Sequence, residues 1–227
     1  MGFAPLVTPD GCPVEVYARL PLGDEADIVS RYCPPEGSVL DLGAGTGRVA
    51  DALALQGFDV TAVDDSPAML MHVREARSVC SRIEDLALDR RFDLVVLGSH
   101  LVNTADDELR RSLLTTAARH VKPTGQVLLQ RHPPQWFDTL SPGRSQQGVL
   151  GPFGVVLSVL AMQDDVLKAS VGYEERNKVW TQNFEARKLD GVTLNHCLKE
   201  CGLSSAKAVA FHDDWVICDP EVVGQAE

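Results

Sequence analysis

Three glycines and one acid are the residues of this chain whose spacing first suggests chemistry. In the stretch Asp41-Leu42-Gly43-Ala44-Gly45-Thr46-Gly47-Arg48, the glycines let the backbone turn sharply and approach a ligand with no Cβ in the way. Asp64 follows about twenty residues after Gly43, at the end of the next apolar run, where a carboxylate accepts both hydroxyl protons of a ribose. Loop and acid together, in the order strand, loop, helix, strand, acid, are far more specific than either alone. A second pair is His100, which leaves the run Leu94–Leu97, and His132, which leaves Gln126–Gln130. An imidazole with a pKa of about 6.5 exchanges a proton near neutrality. If the two runs are neighbouring strands, roughly 5 Å apart, both imidazoles face one site from one side.

The elements that must position these residues alternate. Ser38–Gly43 reads as a strand and the following stretch to Gly57 as a helix. Asp59–Asp64 is a second strand, and Ser66 with Pro67 caps a helix expected to run to about Ala76. A weaker strand is expected at Val79–Ile83, then the continuous run of Arg91–His100, which suits a strand buried on both faces. Asp106, Asp107 and Glu108 open a helix that carries Arg119, His120 and Lys122 at its end, the charge order its macrodipole favours. Pro123-Thr124-Gly125 stops it, and Gln126–Gln130 is the fifth strand. This is a doubly wound parallel α/β pattern. After it the period changes: residues 153–163, 166–176 and 178–189 read as an antiparallel meander. Leu167, Ala169, Val171 and Tyr173 share one face of its second strand, and Trp180, Gln182, Phe184 and Ala186 one face of its third. A helix from Asp190 to Cys201, stopped by Gly202, leads to two last strands joined at His212-Asp213-Asp214, which reads as a hairpin turn rather than a metal site.

The composition narrows the partners. A net charge of −11 with scattered basic residues disfavours nucleic acid and points to a small-molecule substrate. No run of eighteen apolar residues and no basic, apolar leader is present, so neither a membrane span nor a secretion signal is expected and a cytoplasmic location is. The six cysteines (12, 33, 80, 197, 201 and 218) lack a Cys-x-x-Cys pair and read as free thiols; Cys197 and Cys201, one helical turn apart, read as packing. No metal set is expected, and whether two subunits pair is left open.

A dinucleotide fingerprint needs a small residue where this chain has Arg48, because helix and strand pack closely there. S-adenosylmethionine carries no phosphate and does not need the helix N-terminus as an anion cradle. Residues 39–70 resemble the first two motifs of the class I S-adenosylmethionine-dependent methyltransferases, and Arg91–Thr104 resembles their fourth. The resemblance covers about residues 38–132. It implies a Rossmann-like, seven-stranded, mostly parallel sheet with an antiparallel β insertion between the fifth strand and the last helix. The whole chain would then be one methyltransferase domain: a helical cap at 1–37, a cofactor-binding core at 38–132, a lid or substrate insertion at 133–188, and a final helix and hairpin at 189–219.

The same resemblance assigns residues. Asp41, Gly43, Ala44, Gly45 and Gly47 would line the methionine end, Asp64 the ribose, and Asp65 the adenine, with Ser99 on the cofactor side and Tyr17 in a segment closing over it. Family members often carry Gly-Asp-Ala after the third strand; here Ser81-Arg82-Ile83-Glu84 stands, so Ile83 and Glu84 take that place. His100 and His132 are the catalytic candidates, either one a general base toward an amine, hydroxyl or activated carbon. Asn103, Trp136, Tyr173 and Trp180 are the acceptor-side candidates, core packing being the commoner fate of such aromatics. The stretch His132-Pro133-Pro134-Gln135-Trp136 is not the Asn-Pro-Pro-aromatic signature of amino-group methylation, which follows the fourth strand; its prolines stop the fifth. The rival readings are a non-catalytic binder of the same cofactor and a nicotinamide-dependent oxidoreductase.

Overall fold

The structure is a computed structural model that describes residues 7–8 and 11–221. Parts of the expected cap and tail (1–6, 9–10 and 222–227) lie outside the described residues. The chain enters through α1 (Val14–Tyr17) and α2 (Glu25–Ser30). It then alternates: β1 (Ser38–Leu42), α3 (Arg48–Leu55), β2 (Asp59–Asp64), α4 (Pro67–Leu70), β3 (Arg77–Cys80), β4 (Phe92–Leu97), a 3-10 turn at Leu101–Asn103, α5 (Asp107–His120), β5 (Val121–Gln130) and α6 (Pro134–Asp138). Four antiparallel strands follow, β6 (Ser145–Leu150), β7 (Phe153–Gln163), β8 (Val166–Glu175) and β9 (Lys178–Arg187), then α7 (Gly191–Glu200), β10 (Lys207–Val209) and β11 (His212–Cys218).

Seven strands form the main sheet in the order β10-β11-β5-β4-β1-β2-β3, and β6 to β9 form a second sheet in chain order. β1 to β5 are parallel; β11 runs antiparallel to β5, and β10 to β11. The continuous apolar runs follow from burial on both faces. Leu40, Leu42, Val95, Leu97 and Leu129 pack under Leu113, Leu114 and Ala117 of α5 and Leu194 and Leu198 of α7. Their neighbours Val39, Leu94, Val96 and Leu128 point the other way, onto Ile28 and Val29 of α2 and Ala50 and Leu53 of α3. Strand side chains alternate by two, so a strand with helices above and below has no polar face to show.

Four local expectations are corrected. The helix opened by Ser66 ends at Leu70, because the Asp51 carboxylate accepts the N–H groups of Arg74, Glu75 and Ala76 and turns the chain out of the helix into β3. β3 therefore begins at Arg77, two residues earlier than read. α5 stops at His120 and β5 starts at once, with a register shift after Phe92↔Val121 that absorbs Pro123-Thr124-Gly125 as a bulge. His212, Asp213 and Asp214 lie on β11, the turn before it being made by Ala210 and Phe211, whose φ is +65°. β6 was not anticipated at all; its Ser-Gln-Gln-Gly sequence has no strand signature, and it is a strand only because it pairs with β7.

His120 shows how one side chain can join layers. It is buried, its Nε2 accepts the Leu88 N–H at 3.1 Å, and its Nδ1 therefore carries the proton donated to the Thr116 carbonyl at 2.8 Å. Burial lowers its pKa. The folded protein thus holds it neutral where the unfolded chain protonates, so stability is lost as pH falls below about 6.5. His120→Leu should cost about 1–3 kcal/mol at pH 7, by orphaning the Leu88 N–H, and should flatten the acid slope below pH 6.5. Chemical denaturation at pH 7.5 and 5.5 measures both; an unchanged slope would remove His120 from the acid response.

Candidate active site

A cavity of about 750 Å³ crosses the carboxyl ends of the parallel strands, the side on which open α/β sheets bind ligands. Its lining runs from Asp64 and Glu84 at the β2–β3 end, past Asp41 and Gly45, to Gly98, Gln130 and Trp215. Between β2 and β11 lie four strand intervals, about 19 Å.

The glycine loop is held from both sides. Gly43 (φ +77°), Gly45 (φ +56°) and Gly47 (φ +79°) are all left-handed. A Cβ on Gly43 would lie 2.5 Å from the Leu101 side chain, whereas one on Gly45 would project into open space at the cavity. Gly47 does not line the cavity. A Cβ there would meet Val73 at 2.8 Å, so this glycine serves packing under the turn after α4. The Asp64 carboxylate ties the loop to the next element, accepting the Gly45 N–H at 2.8 Å and the Ser66 N–H at 2.9 Å. Over the loop lies the N-terminal segment: Thr46 donates to the Tyr17 carbonyl, and Arg48 donates to the Pro21 carbonyl and pairs with Glu25 at 2.9 Å. Arg48, the residue that conflicts with a dinucleotide fingerprint, is used to fasten that segment.

At the β2–β3 end Asp65, Met69, Arg82, Ile83 and Glu84 line the cavity with Leu101 across from them, an apolar slot rimmed by charge. Asp41 is buried at 6% exposure, and no described cation pairs with it directly. Burial and the nearby Asp64 push its pKa up to about 7, against the pull of Arg48. A buried acid of this kind is a receptor for a cationic ligand, and S-adenosylmethionine brings both an ammonium and a sulfonium. The slot, the Asp64 carboxylate beside the open Gly45 and the uncompensated Asp41 fit its adenine, ribose and methionine parts in that order.

Just beyond β4, Ser99 (φ +51°) and His100 (φ +58°) are consecutive left-handed residues without being glycine. Such backbone costs of order 1–2 kcal/mol per residue and persists where surroundings hold it. Here Gln130 Oε1 accepts the Ser99 N–H at 2.9 Å. β4 and β5 are neighbours, and they bring the two histidines together: the rings of His100 and His132 stack at 3.8 Å, 4° from parallel, and Trp136 stacks on His132 at 4.1 Å. Burial lowers the pKa of His100 to about 4, with Asp214 and Glu25 pulling the other way. His132 falls to about 3, through burial and then the proximity of His100. Both are neutral imidazoles at pH 7.

Of the residues assigned in advance, Tyr17, Asp41, Gly43, Ala44, Gly45, Asp64, Asp65, Ile83, Glu84 and Ser99 line this cavity. Asn103 does not. It is buried, its amide donating to the Arg187 carbonyl and its Oδ1 accepting the His132 N–H at 2.8 Å, so it joins the ends of β5 and β9. Tyr173 and Trp180 are likewise absent from the lining; they close a core with Phe153 and Val16 that seats the second sheet on α1. Sequence reasoning missed Glu25, Arg82, Gln130 and Trp215, which come from α2, from a loop, from the end of β5 and from the middle of β11, without a motif. It also passed over Gln182 as one of four face residues, and this one reaches the cavity.

Residues 39–125 match the family described as Methyltransferase domain. The cypemycin N-terminal methyltransferase of a Streptomyces species is 34% identical over 134 residues, 56% of this chain and 54% of that one. The ubiquinone biosynthesis O-methyltransferase of Rickettsia prowazekii is 24% identical over 184 residues, 74% of this chain and 66% of that one. The chain thus spans about half to two thirds of the length of these relatives. In fold it is similar to the sugar N-methyltransferase KedS8 of Streptoalloteichus, with a TM-score of 0.72 at 18% identity, covering 98% of each chain. No helix among the described residues is long and apolar enough to cross a membrane. The glycine loop, the Asp64 tether and the strand order agree with these comparisons: residues 39–125 form a methyltransferase domain, and the fold is that of solved S-adenosylmethionine-dependent methyltransferases.

Proposed function

We propose that this protein transfers a methyl group to an amine nitrogen of a small molecule. What supports the choice of nitrogen is the stacked pair of half-buried imidazoles that follow β4 and β5, both kept neutral by burial. The residues that would hold the cofactor are Asp41, Gly45, Asp64, Asp65, Ile83 and Glu84. When bound, the cofactor supplies an activated methyl group on sulfur, so alignment of the nucleophile supplies much of the rate.

A general base was the role expected of His100 or His132 at a pKa of about 6.5. Held at about 4 and 3 by burial, they are weaker bases than a free imidazole, which favours a hydrogen-bonding role over proton abstraction. Toward a hydroxyl the loss from 6.5 to these values makes them poorer bases than a free imidazole by about 3–5 kcal/mol. A neutral amine brings its own lone pair and needs no base before attack. Each neutral imidazole has one acceptor nitrogen for an amine N–H, so the pair is suited to orienting the lone pair rather than generating it. The amine sheds its proton to solvent as it leaves water, since burial disfavours its charged form. Glu25 and Asp214, which act electrostatically on His100, and the overall negative charge favour amines on approach. The cypemycin relative, whose name places its methyl on an N-terminus, is consistent with this choice.

Incubation with methyl-labelled S-adenosylmethionine and matched amine and alcohol acceptors tests the reading. Label should pass to amines and not to the alcohols. Replacing both histidines by Ala should slow transfer about 10–1000-fold while leaving S-adenosylhomocysteine affinity within about twofold. Transfer to the alcohols alone would sink the nitrogen assignment, and bound cofactor with no transfer to either set would favour a non-catalytic binder.

A further inference from the structure

The floor of the cavity ends in a tryptophan. One step past the last paired residues of β1 and β4 come Gly43 and Gly98, level with Gln130 of β5 and its partner Trp215 of β11. All four line the cavity. A Cβ on Gly98 would find only Gln130 Oε1, at 4.0 Å, so the floor is bare over β4 and rises again at β5 and β11. From β1 to β11 it spans three strand intervals, about 14 Å. Trp215 is 2% exposed and packs with Ile28, Val29, Val96 and Leu128, on the face that Gln130 shares. That packing uses the carbon atoms of the ring, which a phenylalanine also has.

The indole N–H is left over. It donates to no acceptor among the described residues. The unpartnered side-chain nitrogens that are shut off from solvent belong to Arg131 and Arg187, so that of Trp215 is open, and the space beside Trp215 is the cavity. Its neighbours in the lining are in use: Gln130 accepts the Ser99 N–H, Thr46 donates to the Tyr17 carbonyl, and Arg48 holds Glu25 and the Pro21 carbonyl. A buried Trp N–H ordinarily has a partner, and one cut off from water without a partner is costly. We infer that Trp215 is a ligand-binding residue, its indole N–H donating to an oxygen of a molecule held in the cavity. The inference rests on the methyl-transfer reading above, which offers two sources of that oxygen. One is the carboxylate of the cofactor's methionine part, and the other is a carbonyl or hydroxyl carried by the amine acceptor. An indole N–H donates only; an ammonium group has no lone pair to offer it and an alkyl group has none either. Trp215 is thereby a specificity-determining residue, favouring ligands that bring an oxygen to the β11 end of the floor.

The test follows the indole N–H itself, by NMR of the whole chain with tryptophan labelled at the indole nitrogen. Three indole signals are expected, from Trp136, Trp180 and Trp215, and Trp215→Phe identifies its own by removing it. One ligand pair is S-adenosylhomocysteine and 5′-methylthioadenosine, which lacks the amino-acid part. The other, added to protein saturated with S-adenosylhomocysteine, is L-phenylalaninamide and 2-phenylethylamine, which lacks the carboxamide. The Trp215 proton should move downfield with the oxygen-bearing member of one pair and not with its counterpart, and the pair that does so names the source. Trp215→Phe should then weaken that ligand, by about 10-fold or more for a carboxylate and about 2–10-fold for a neutral oxygen. Its affinity for 5′-methylthioadenosine should stay within about twofold, which reports an intact fold. If Trp215→Phe does not fold, Trp136→Phe and Trp180→Phe identify the signal by elimination, and the wild-type titrations decide. A Trp215 signal that distinguishes the members of neither pair overturns the inference. Failure of the wild type to bind S-adenosylhomocysteine overturns the methyl-transfer reading instead.

Discussion

Asp41→Asn should make the ligand-free protein more stable at pH 8 and a poorer binder of S-adenosylmethionine. The Asp41 carboxyl is fully buried, and burial followed by the charge of Asp64 raises its pKa from 3.8 to about 7. Between those values the folded chain holds a proton that the unfolded chain has released. Stability therefore falls as pH rises from about 4 to 7, and the penalty is complete above 7. A difference of about three units corresponds to at most about 4 kcal/mol, which the neutral amide recovers at pH 8 and not at pH 4. The cofactor's ammonium and sulfonium favour the ionised acid, so wild-type affinity should fall as pH drops below about 7, by up to tenfold per unit. Loss of a charged hydrogen-bonding partner should weaken binding by about 1.5–3 kcal/mol, roughly 10- to 150-fold, and flatten that pH dependence. Denaturation at pH 8 and titrations at pH 6 and 8 measure these. Equal stability and equal affinity in the variant would show that Asp41 is not an uncompensated charge.

Asp64→Ala should have the larger effect on binding. The carboxylate both faces the expected ribose and pins the Gly45 and Ser66 N–H groups, so its removal loosens the loop and deletes the acceptor together. Two charge-assisted bonds at about 1.5–3 kcal/mol each predict a loss of about 100-fold or more in S-adenosylhomocysteine affinity. The fold should survive, because β2 is anchored by Val60, Ala62 and Val63 in the two cores. Asp64→Asn adds a sharper readout. With the Asp64 charge gone, the Asp41 pKa should drop, and the pH midpoint of S-adenosylmethionine binding should move down with it. A midpoint that stays near 7 in Asp64→Asn would mean that burial alone raises Asp41.

The sequence by itself determined what depends on neighbours along the chain. The alternation of strand and helix, the cap at Ser66, the helix starts near Asp106 and Asp190, the turn-forming loop glycines and the acid at the end of β2 are each set by local sterics and the period of apolar residues. Those features carry the fold and most of the cofactor side. Short elements whose existence depends on a partner were not legible: β6 needs β7, and α4 is cut short by an Asp51 carboxylate more than twenty residues away in sequence. The surroundings of the two histidines were decided almost wholly by tertiary structure. His100 and His132 could be named from their strands, yet only stacking and burial make them neutral, because desolvation is a property of everything packed around a group. Tyr173, Trp180 and Gln182 look equivalent in an alternating pattern. Two close a core on α1 and one reaches the cavity, since a strand's period states which residues share a face and not what covers each point of it.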